Sequence, residues 1–202
     1  MTQRIGVLGG TFDPVHFGHL AIAEESRARV PLDVVLLMPA RVQPLRQQEQ
    51  TSSPEHRGAM LERAVLGNPA LSVSRIEFER AGPSYTVDTI ALLRERYVRG
   101  SELFFLLGID ALAELPHWKE PERLLTLCRL VAFQRPGYDF DPRNLFLQIP
   151  LLRDRLTLIE GPRLDISGTD LRRRVRQGLP IRYQVPDAVA EYIHSNRLYL
   201  KW

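Results

Sequence analysis

The sequence predicts an α/β protein with a parallel sheet, covered by helices on both faces and followed by a helical C-terminal portion. A strand–helix–strand pattern fills the first forty residues, with apolar runs at residues 5–8 and 34–38 on either side of a helical stretch at residues 19–30. This order builds parallel sheets through right-handed crossovers. The predicted strands are also continuously apolar, as strands buried on both faces are.

The same alternation continues along the chain. Ser53 followed by Pro54 is typical of a helix N-terminus, and that helix is predicted to run to about residue 66. Further strands are predicted at residues 71–78, 103–107, 130–133 and 156–159, and further helices at residues 86–98, 124–128, 171–176 and 187–195. Residues 43–53 and 135–143 are predicted to be loops.

Length and composition indicate a globular protein. With 202 residues, 44% hydrophobic and 25% charged, the chain is predicted to form one domain over residues 1–202. Its single cysteine, Cys128, excludes an intramolecular disulfide and lies in an apolar run, so we expect a small buried side chain. Neither a membrane-length apolar segment nor a signal peptide is found, so we expect a cytoplasmic protein without a membrane partner.

The formal net charge of +3 suits an anionic ligand, either a nucleotide phosphate or a nucleic acid. The basic patch interleaved with aromatic residues that marks many RNA-binding proteins is missing, so no nucleic-acid partner is expected. The basic run at residues 172–174 is ordinarily a solvated helix face. The oligomeric state is not set by the sequence, and a homo-oligomer stays open.

The first motif, GGTFDPVHFGH at residues 9–19, joins the first strand to the first helix. Ligands bind beyond the carboxyl ends of strands in open parallel sheets, and glycines there let a phosphate approach the backbone. The helix N-terminus adds free N–H groups. His16 and His19 share a helix face at this spacing, and Gly18 leaves room for a ligand. Structural turn histidines or a metal pair are the alternatives, although no third metal ligand is obvious.

The second motif, ISGTDLR, covers residues 166–172. Ser167 and Thr169 are good capping residues for a helix that starts near Asp170. Arg172 would then lie in the first turn, where its planar guanidinium could bind two phosphate oxygens. Taken alone, however, this segment is an ordinary helix N-terminus.

Both motifs resemble those of the HxGH nucleotidyltransferases, which are relatives of the class I aminoacyl-tRNA synthetases. The resemblance implies a Rossmann-like, doubly wound parallel sheet, the nucleotidyltransferase fold. It also implies that His16, His19 and Arg172 are catalytic. The residues that would line the ATP phosphate site are Gly9, Gly10, Thr11, Phe12, Ile166, Ser167 and Thr169. The family often has serine where this chain has Gly168, so this chain lacks one hydroxyl of the motif.

Elements between the motifs resemble the nicotinate-nucleotide branch of this family. Ser84, Tyr85 and Thr86 match its S/T-Y-T element, and Trp118 corresponds to a tryptophan that stacks on the pyridine ring while nearby amides hold the carboxylate. A partly buried core aromatic is the alternative for Trp118. Gly108 and Asp110 match a G-x-D element beside the adenosine, Arg135 begins an R-P-G-Y turn, and C-terminal residues 185–199 also match.

One loop departs from that branch. Where the branch commonly has P-P-H-K, this chain has Gln43, Pro44, Leu45 and Arg46. Leucine replaces the histidine and arginine replaces the lysine. Arg46 can still supply positive charge to a mononucleotide phosphate.

The resemblance implies transfer of the adenylyl group of ATP to nicotinate mononucleotide, which yields nicotinate adenine dinucleotide and pyrophosphate in NAD biosynthesis. Mg²⁺ would be carried by ATP and not by protein ligands. Nicotinamide mononucleotide, phosphopantetheine and cytidylyl-transfer substrates are the alternative reactants. A nucleotide-binding module without catalysis is the alternative from another functional class.

Overall fold

The computed structural model describes residues 2–41, 51–79, 82–96, 100–134 and 140–200. The strands are β1 (Arg4–Gly10), β2 (Val34–Pro39), β3 (Leu71–Val73), β4 (Glu102–Gly108), β5 (Arg129–Gln134) and β6 (Leu156–Glu160). The helices are α1 (Phe17–Arg29), α2 (Pro54–Val65), α3 (Thr86–Arg96), α4 (Ile109–Ala113), α5 (Pro121–Leu127), α6 (Arg143–Gln148), α7 (Leu152–Arg155), α8 (Gly168–Arg176) and α9 (Asp187–Ser195). A 3₁₀ turn covers Leu115–His117.

The six strands form one parallel sheet in the order β3-β2-β1-β4-β5-β6. The chain first moves outward from β1 to β3, then returns to pair β4 with the other side of β1. The predicted doubly wound parallel sheet is therefore confirmed. Its strand order reverses between β1 and β4, and this is the place where such sheets bind ligands.

Alternate side chains of each strand enter two separate cores, one on each face of the sheet. In β4, Phe104 and Leu106 pack with α1, α2, α8 and α9, whereas Leu103, Phe105 and Leu107 pack with α3 to α7. Each central strand of the sheet is thus buried on both faces, and this explains the continuous apolar runs in the sequence.

Several boundaries differ from the sequence predictions. The strand predicted at residues 71–78 ends at Val73, and residues 76–79 form a turn in which Ile76 is buried. The short helices α4, α6 and α7 were not predicted. In contrast, α9 spans the predicted residues, and Ser53 caps α2 by accepting a hydrogen bond from the His56 N–H at 3.3 Å.

Cys128 is 3% exposed, as predicted, and burial raises the pKa of its thiol to about 12. No helix within the described part of the chain is both long and apolar enough to cross a bilayer.

Candidate active site

A cavity of about 440 Å³ opens where β1 and β4 lie side by side at their carboxyl ends. Its walls include Gly9 and Gly10 at the end of β1, Gly108 at the end of β4, and Ala40 just after β2. A Cβ atom on Gly108 would meet no atom within 4 Å, so this glycine leaves its part of the cavity open. The cavity therefore lies beyond the carboxyl ends of the strands, at the point where the strand order reverses.

The first motif forms the loop from β1 to α1, with His16 as the N-cap residue and His19 one turn further. Their imidazole rings stack at a centroid distance of 3.7 Å. The backbone N–H of His16 donates a hydrogen bond to His19 Nδ1 at 3.3 Å. Because Nδ1 of His19 accepts, a neutral ring carries its proton on Nε2, which can donate to a ligand.

Burial governs the charge of both histidines. His16 is 6% exposed, and burial lowers the pKa of its imidazole to about 4. Burial lowers the pKa of His19 well below its ordinary value, and the adjacent His16 lowers it further. Both rings are therefore neutral at pH 7 in the ligand-free protein. A polyanion placed against them would raise both values and favour protonation.

Gly18 is needed for a reason that differs from the sequence interpretation. A Cβ atom at this position would lie 2.9 Å from His16 Nδ1, so a side chain would displace the histidine itself before it met any ligand. His16 Nδ1 is buried and has no hydrogen-bond partner among the described residues. Gly18 thus allows the His16 ring to pack closely against the first turn of α1.

Phe12 lies in the core and not in the cavity. It is 1% exposed, has a positive φ of 53°, and packs edge-on against the His19 ring at 4.8 Å. A Cβ on Gly10 would lie 3.1 Å from the Phe12 ring, so this glycine accommodates the inward-turned phenylalanine.

Asp13 anchors the loop from below, a role that the sequence did not reveal. It is 3% exposed, and its Oδ1 accepts a hydrogen bond from the Tyr199 hydroxyl at 2.6 Å. Its Oδ2 accepts from the Ser52 backbone N–H at 3.0 Å. A buried carboxylate is thereby satisfied by groups from the start of α2 and from the C-terminal segment.

The second motif meets the first through Arg172. Ser167 caps α8 by accepting from the Asp170 N–H at 3.2 Å. Arg172 Nη1 donates to the Asp13 carbonyl at 2.7 Å, and Nη2 donates to Thr169 Oγ1 at 3.4 Å. The structure therefore brings together the two motifs, which are about 150 residues apart in sequence.

Close packing at the start of α8 fits Gly168. A Cβ on this residue would lie 3.0 Å from the Asp13 carbonyl oxygen and 3.3 Å from Arg172 Nη1. Ile166, just before the cap, is half-buried and packs against the core on the α1 side of the sheet. A serine in place of Gly168 would require a small displacement of the first-motif loop or of Arg172.

The opposite wall of the cavity contains the S-Y-T element and Trp118. Ser84 Oγ accepts a hydrogen bond from the Arg41 N–H at 3.2 Å, and Thr86 is the first residue of α3. The Thr86 N–H therefore has no carbonyl partner within its own helix and can bind an anion. Trp118 packs edge-on against Phe105 at 6.0 Å while part of its surface faces the cavity.

Trp118 and its neighbour Lys119 have fixed positions. The backbone N–H of Trp118 donates to the Leu115 carbonyl at 3.1 Å, so this amide is occupied by the 3₁₀ turn. Lys119 Nζ donates to both carboxylate oxygens of Asp88, at 2.9 and 3.1 Å, and lies 5.0 Å from the centroid of the Tyr85 ring. This link ties the tryptophan loop to the first turn of α3.

The remaining predicted residues lie at the edge of the site or outside the described residues. Gly108 is the N-cap of α4, and Asp110 lies exposed in its first turn. Arg46 and Arg135 fall outside the described residues. No three histidine, cysteine, aspartate or glutamate side chains gather into a metal-binding group in the ranges that the structure describes.

Comparison with known proteins identifies the family. The model of the cytidylyltransferase-like family matches residues 7–174. The chain is 55% identical over 195 residues to a Roseiflexus sp. (strain RS-1) protein named "Probable nicotinate-nucleotide adenylyltransferase", with 96% of this chain and 97% of the relative covered. A Roseiflexus castenholzii protein of the same name is 53% identical, with 97% of this chain and 98% of the relative covered.

Solved structures share the fold. The nicotinic acid mononucleotide adenylyltransferase of Plasmodium falciparum, complexed with NaAD, superposes with a TM-score of 0.78 at 18% identity, covering 98% of this chain and 97% of that one. The same enzyme complexed with APC gives a TM-score of 0.76 over the same shares. The identity to the Roseiflexus relatives extends over nearly the whole length and assigns the chain to a family more specifically than the shared fold does. The chain belongs to the nicotinate-nucleotide adenylyltransferases, within the cytidylyltransferase-like family.

Proposed function

We propose that the chain, acting as one domain, transfers the adenylyl group of ATP to nicotinate mononucleotide and releases pyrophosphate. The product is nicotinate adenine dinucleotide, a precursor of NAD. The observation that carries the proposal is the meeting of the two motifs, because Arg172 binds the Asp13 carbonyl in the loop that bears His16 and His19. This loop follows Gly9 and Gly10, which line a cavity with Trp118 in its opposite wall. Relatives at 55% and 53% identity bear the name of this activity.

The reaction needs no general base from the protein. The 5′-phosphate of the mononucleotide has a second pKa of about 6 and is largely ionised at neutral pH. One of its oxygens attacks the α-phosphorus of ATP, and the bond from that phosphorus to the bridging oxygen of the β-phosphate breaks as pyrophosphate leaves. The protein's task is to align two polyanions and to stabilise the developing negative charge.

The two motifs divide this task. His19 donates its Nε2–H to a phosphate oxygen, and the stacked ring of His16 places a second imidazole beside it. Arg172 supplies a permanent positive charge for the departing pyrophosphate, and Ser167 and Thr169 add hydroxyls at the same helix N-terminus. The N–H groups of residues 9–12 line the α-phosphate side.

The acceptor lies along the opposite wall. A pyridine ring fits flat against the exposed part of Trp118, and its carboxylate is placed toward the free N–H of Thr86 at the start of α3. Ser84 and Tyr85 complete this wall, and Arg46 and Arg135 contribute positive charge for the mononucleotide phosphate. Gly108 and Asp110 lie on the adenosine side.

Mg²⁺ enters with ATP. Apart from the Ser167 and Thr169 hydroxyls, the side-chain groups that the two motifs place toward the phosphates are imidazole and guanidinium nitrogens, whereas Mg²⁺ is typically bound by the protein through carboxylates. The described residues therefore do not fit a protein-held magnesium site at this point, and the nucleotide's own phosphates would hold the metal. A requirement for a divalent cation that tracks the ATP concentration would support this.

The decisive assay measures pyrophosphate release from Mg·ATP with nicotinate mononucleotide and nicotinamide mononucleotide in parallel. Strong preference for the acid is expected, because a helix N-terminus favours a carboxylate over a neutral amide. Preference for the amide would overturn the acceptor assignment. Pyrophosphate release with neither acceptor, despite ATP binding, would favour a nucleotide-binding module without catalysis.

Replacement of His19 tests the phosphate site. His19→Ala should keep the fold and lose turnover by about 10²–10³-fold, as is typical when one donor to a developing charge is removed. His194→Ala, an exposed change on α9, is the matched control and should leave turnover unchanged. Turnover of His19→Ala equal to that of the control would contradict the assigned role.

A further inference from the structure

Arg57 is an arginine that the structure buries almost completely beneath the candidate active site. It lies in the first turn of α2 and is 1% exposed. Its guanidinium faces the ring of Phe78 at 5.9 Å. Arginine is seldom buried to this extent unless its donors and its charge are satisfied by specific partners.

The partners of Arg57 are backbone carbonyls from three segments. Nε donates to the Ser52 carbonyl at 3.0 Å, and Nη1 donates to the Thr11 and Ala40 carbonyls at 2.9 and 2.6 Å. Nη2 donates to the Arg41 carbonyl at 3.3 Å. A single side chain thus joins the phosphate loop, the segment after β2 and the approach to α2.

The first of these connections leads to the ATP side of the site. Thr11 belongs to the loop that carries the first motif, two residues before Asp13. Ser52, which accepts from Arg57, also donates its N–H to Asp13 Oδ2. Asp13 in turn accepts the bond from Arg172 at its carbonyl. Displacement of Arg57 would therefore be felt by the loop and by Arg172 together.

The second connection leads to the acceptor side. Ala40 lines the cavity and donates its N–H to the Gly10 carbonyl at 2.9 Å. Arg41, whose carbonyl accepts from Arg57, donates its N–H to Ser84 Oγ in the opposite wall. One hydrogen bond thus connects the guanidinium to the phosphate loop, and two hydrogen bonds in series connect it, through Arg41, to the S-Y-T element.

We propose that Arg57 is a positioning residue that holds the ATP-binding loop and the acceptor wall in one fixed relative geometry. It touches neither substrate. The inference rests on the proposed function. In a reaction driven by alignment of two bound substrates, the relative position of their two sites determines the rate at which the complex with both substrates reacts. A planar, branched donor suits this role, since a lysine ammonium cannot reach all the same carbonyls at once.

The expected signature is a loss of kcat with little change in either KM. Each substrate would still find its own half of the site, but the attacking oxygen and the α-phosphorus would be misaligned. A misplacement of about 1 Å typically costs about 10²-fold in rate. Arg57→Met should therefore lower kcat by about 10²-fold while both KM values change by less than about 3-fold, and Arg57→Lys should recover part of the loss.

Leu61→Ala is the matched control. Leu61 lies one turn further along α2, is fully buried, and belongs to the core below the site. Its truncation lowers stability through a cavity without removing any hydrogen bond to the loops. All variants are assayed well below their melting temperatures. Equal losses of kcat in Arg57→Met and Leu61→Ala would overturn the proposal, since Arg57 would then act only through stability.

The lysine variant keeps the test decisive if Arg57→Met does not fold. A folded Arg57→Lys with reduced kcat and near-normal KM values supports positioning. Failure of Arg57→Lys to fold, or its wild-type kcat, would overturn the proposal. If the wild type used another phosphate-bearing acceptor, the proposed function would be refuted. The role of Arg57 would still be tested, because the kcat of each Arg57 variant would be compared with the wild-type kcat on that acceptor.

Discussion

At the scale of single residues, the two motif histidines are buried although the proposed function places them against phosphates. Their rings stack, and burial keeps both neutral in the ligand-free protein. A neutral imidazole still donates one hydrogen bond, and the phosphates of bound ATP would raise the pKa of each ring. The site thus avoids two adjacent buried charges until the substrate supplies compensating negative charge.

This arrangement predicts how stability depends on pH. The pKa of His16 is about 4 when folded and near 6.5 when unfolded, so the unfolded state binds more protons between these values. The free energy of unfolding contributed by His16 is therefore present above pH 6.5 and is lost as pH falls toward 4, by roughly 3 kcal/mol in full. His19 acts in the same direction.

His16→Asn removes the titration and keeps a residue that caps helices well. Urea unfolding from pH 7 to pH 4 should show a shallower loss of stability for His16→Asn than for the wild type. Carboxylates titrate equally in both proteins, so they cancel in the difference. Parallel curves would mean that His16 is not buried as a neutral ring.

At the scale of elements, the N-terminus of α1 is shaped by the contact between Gly18 and His16. Gly18→Ala adds one methyl group 2.9 Å from His16 Nδ1 and must displace that ring. Alanine also favours the helix over glycine by about 1 kcal/mol. We therefore expect an unchanged or higher melting temperature together with a loss of turnover of at least about 10-fold.

The test of Gly18→Ala compares thermal melting with pyrophosphate release. Glu25→Ala on the same helix changes only a partly exposed ion pair with Arg29 and should leave turnover unchanged. If Gly18→Ala retained wild-type turnover, the orientation of His16 would not matter for the reaction.

Elements also show how much of the fold could be predicted. The central strands were predicted because burial on both faces leaves continuous apolar runs. The strand predicted at residues 71–78 was too long, because the alternation beyond Val73 belongs to a turn that buries Ile76 and lets Glu77 accept from Thr89 at 2.8 Å. The helices α4, α6 and α7 are too short to show a helical period.

At the scale of the whole molecule, the site is assembled by contacts that no local pattern encodes. The motif residues were predicted from their types, spacing and resemblance to a family. Arg57 was not, because an arginine on a helix usually lies in solvent, and only segments 5 to 46 residues away in sequence make it buried. Asp13 similarly meets Arg172 and Tyr199 across 159 and 186 residues.

The bond between Tyr199 and Asp13 ties the C-terminal segment to the phosphate loop. Tyr199 is 1% exposed, and burial beside the Asp13 carboxylate raises the pKa of its hydroxyl, which therefore stays protonated and donates. Tyr199→Phe removes this donor and leaves a buried carboxylate less satisfied. The free energy of unfolding should fall by roughly 1.5–3 kcal/mol, the usual value for a hydrogen bond to a charged group.

Turnover should fall with stability in Tyr199→Phe, because the same carboxylate fixes the loop whose Asp13 carbonyl holds Arg172. Urea unfolding and pyrophosphate release measure the two effects separately. Tyr183→Phe is the control, since Tyr183 is 82% exposed and its hydroxyl should contribute to neither. If Tyr199→Phe matched this control in stability and turnover, the C-terminal segment would be a cover over the core and not a support of the phosphate loop.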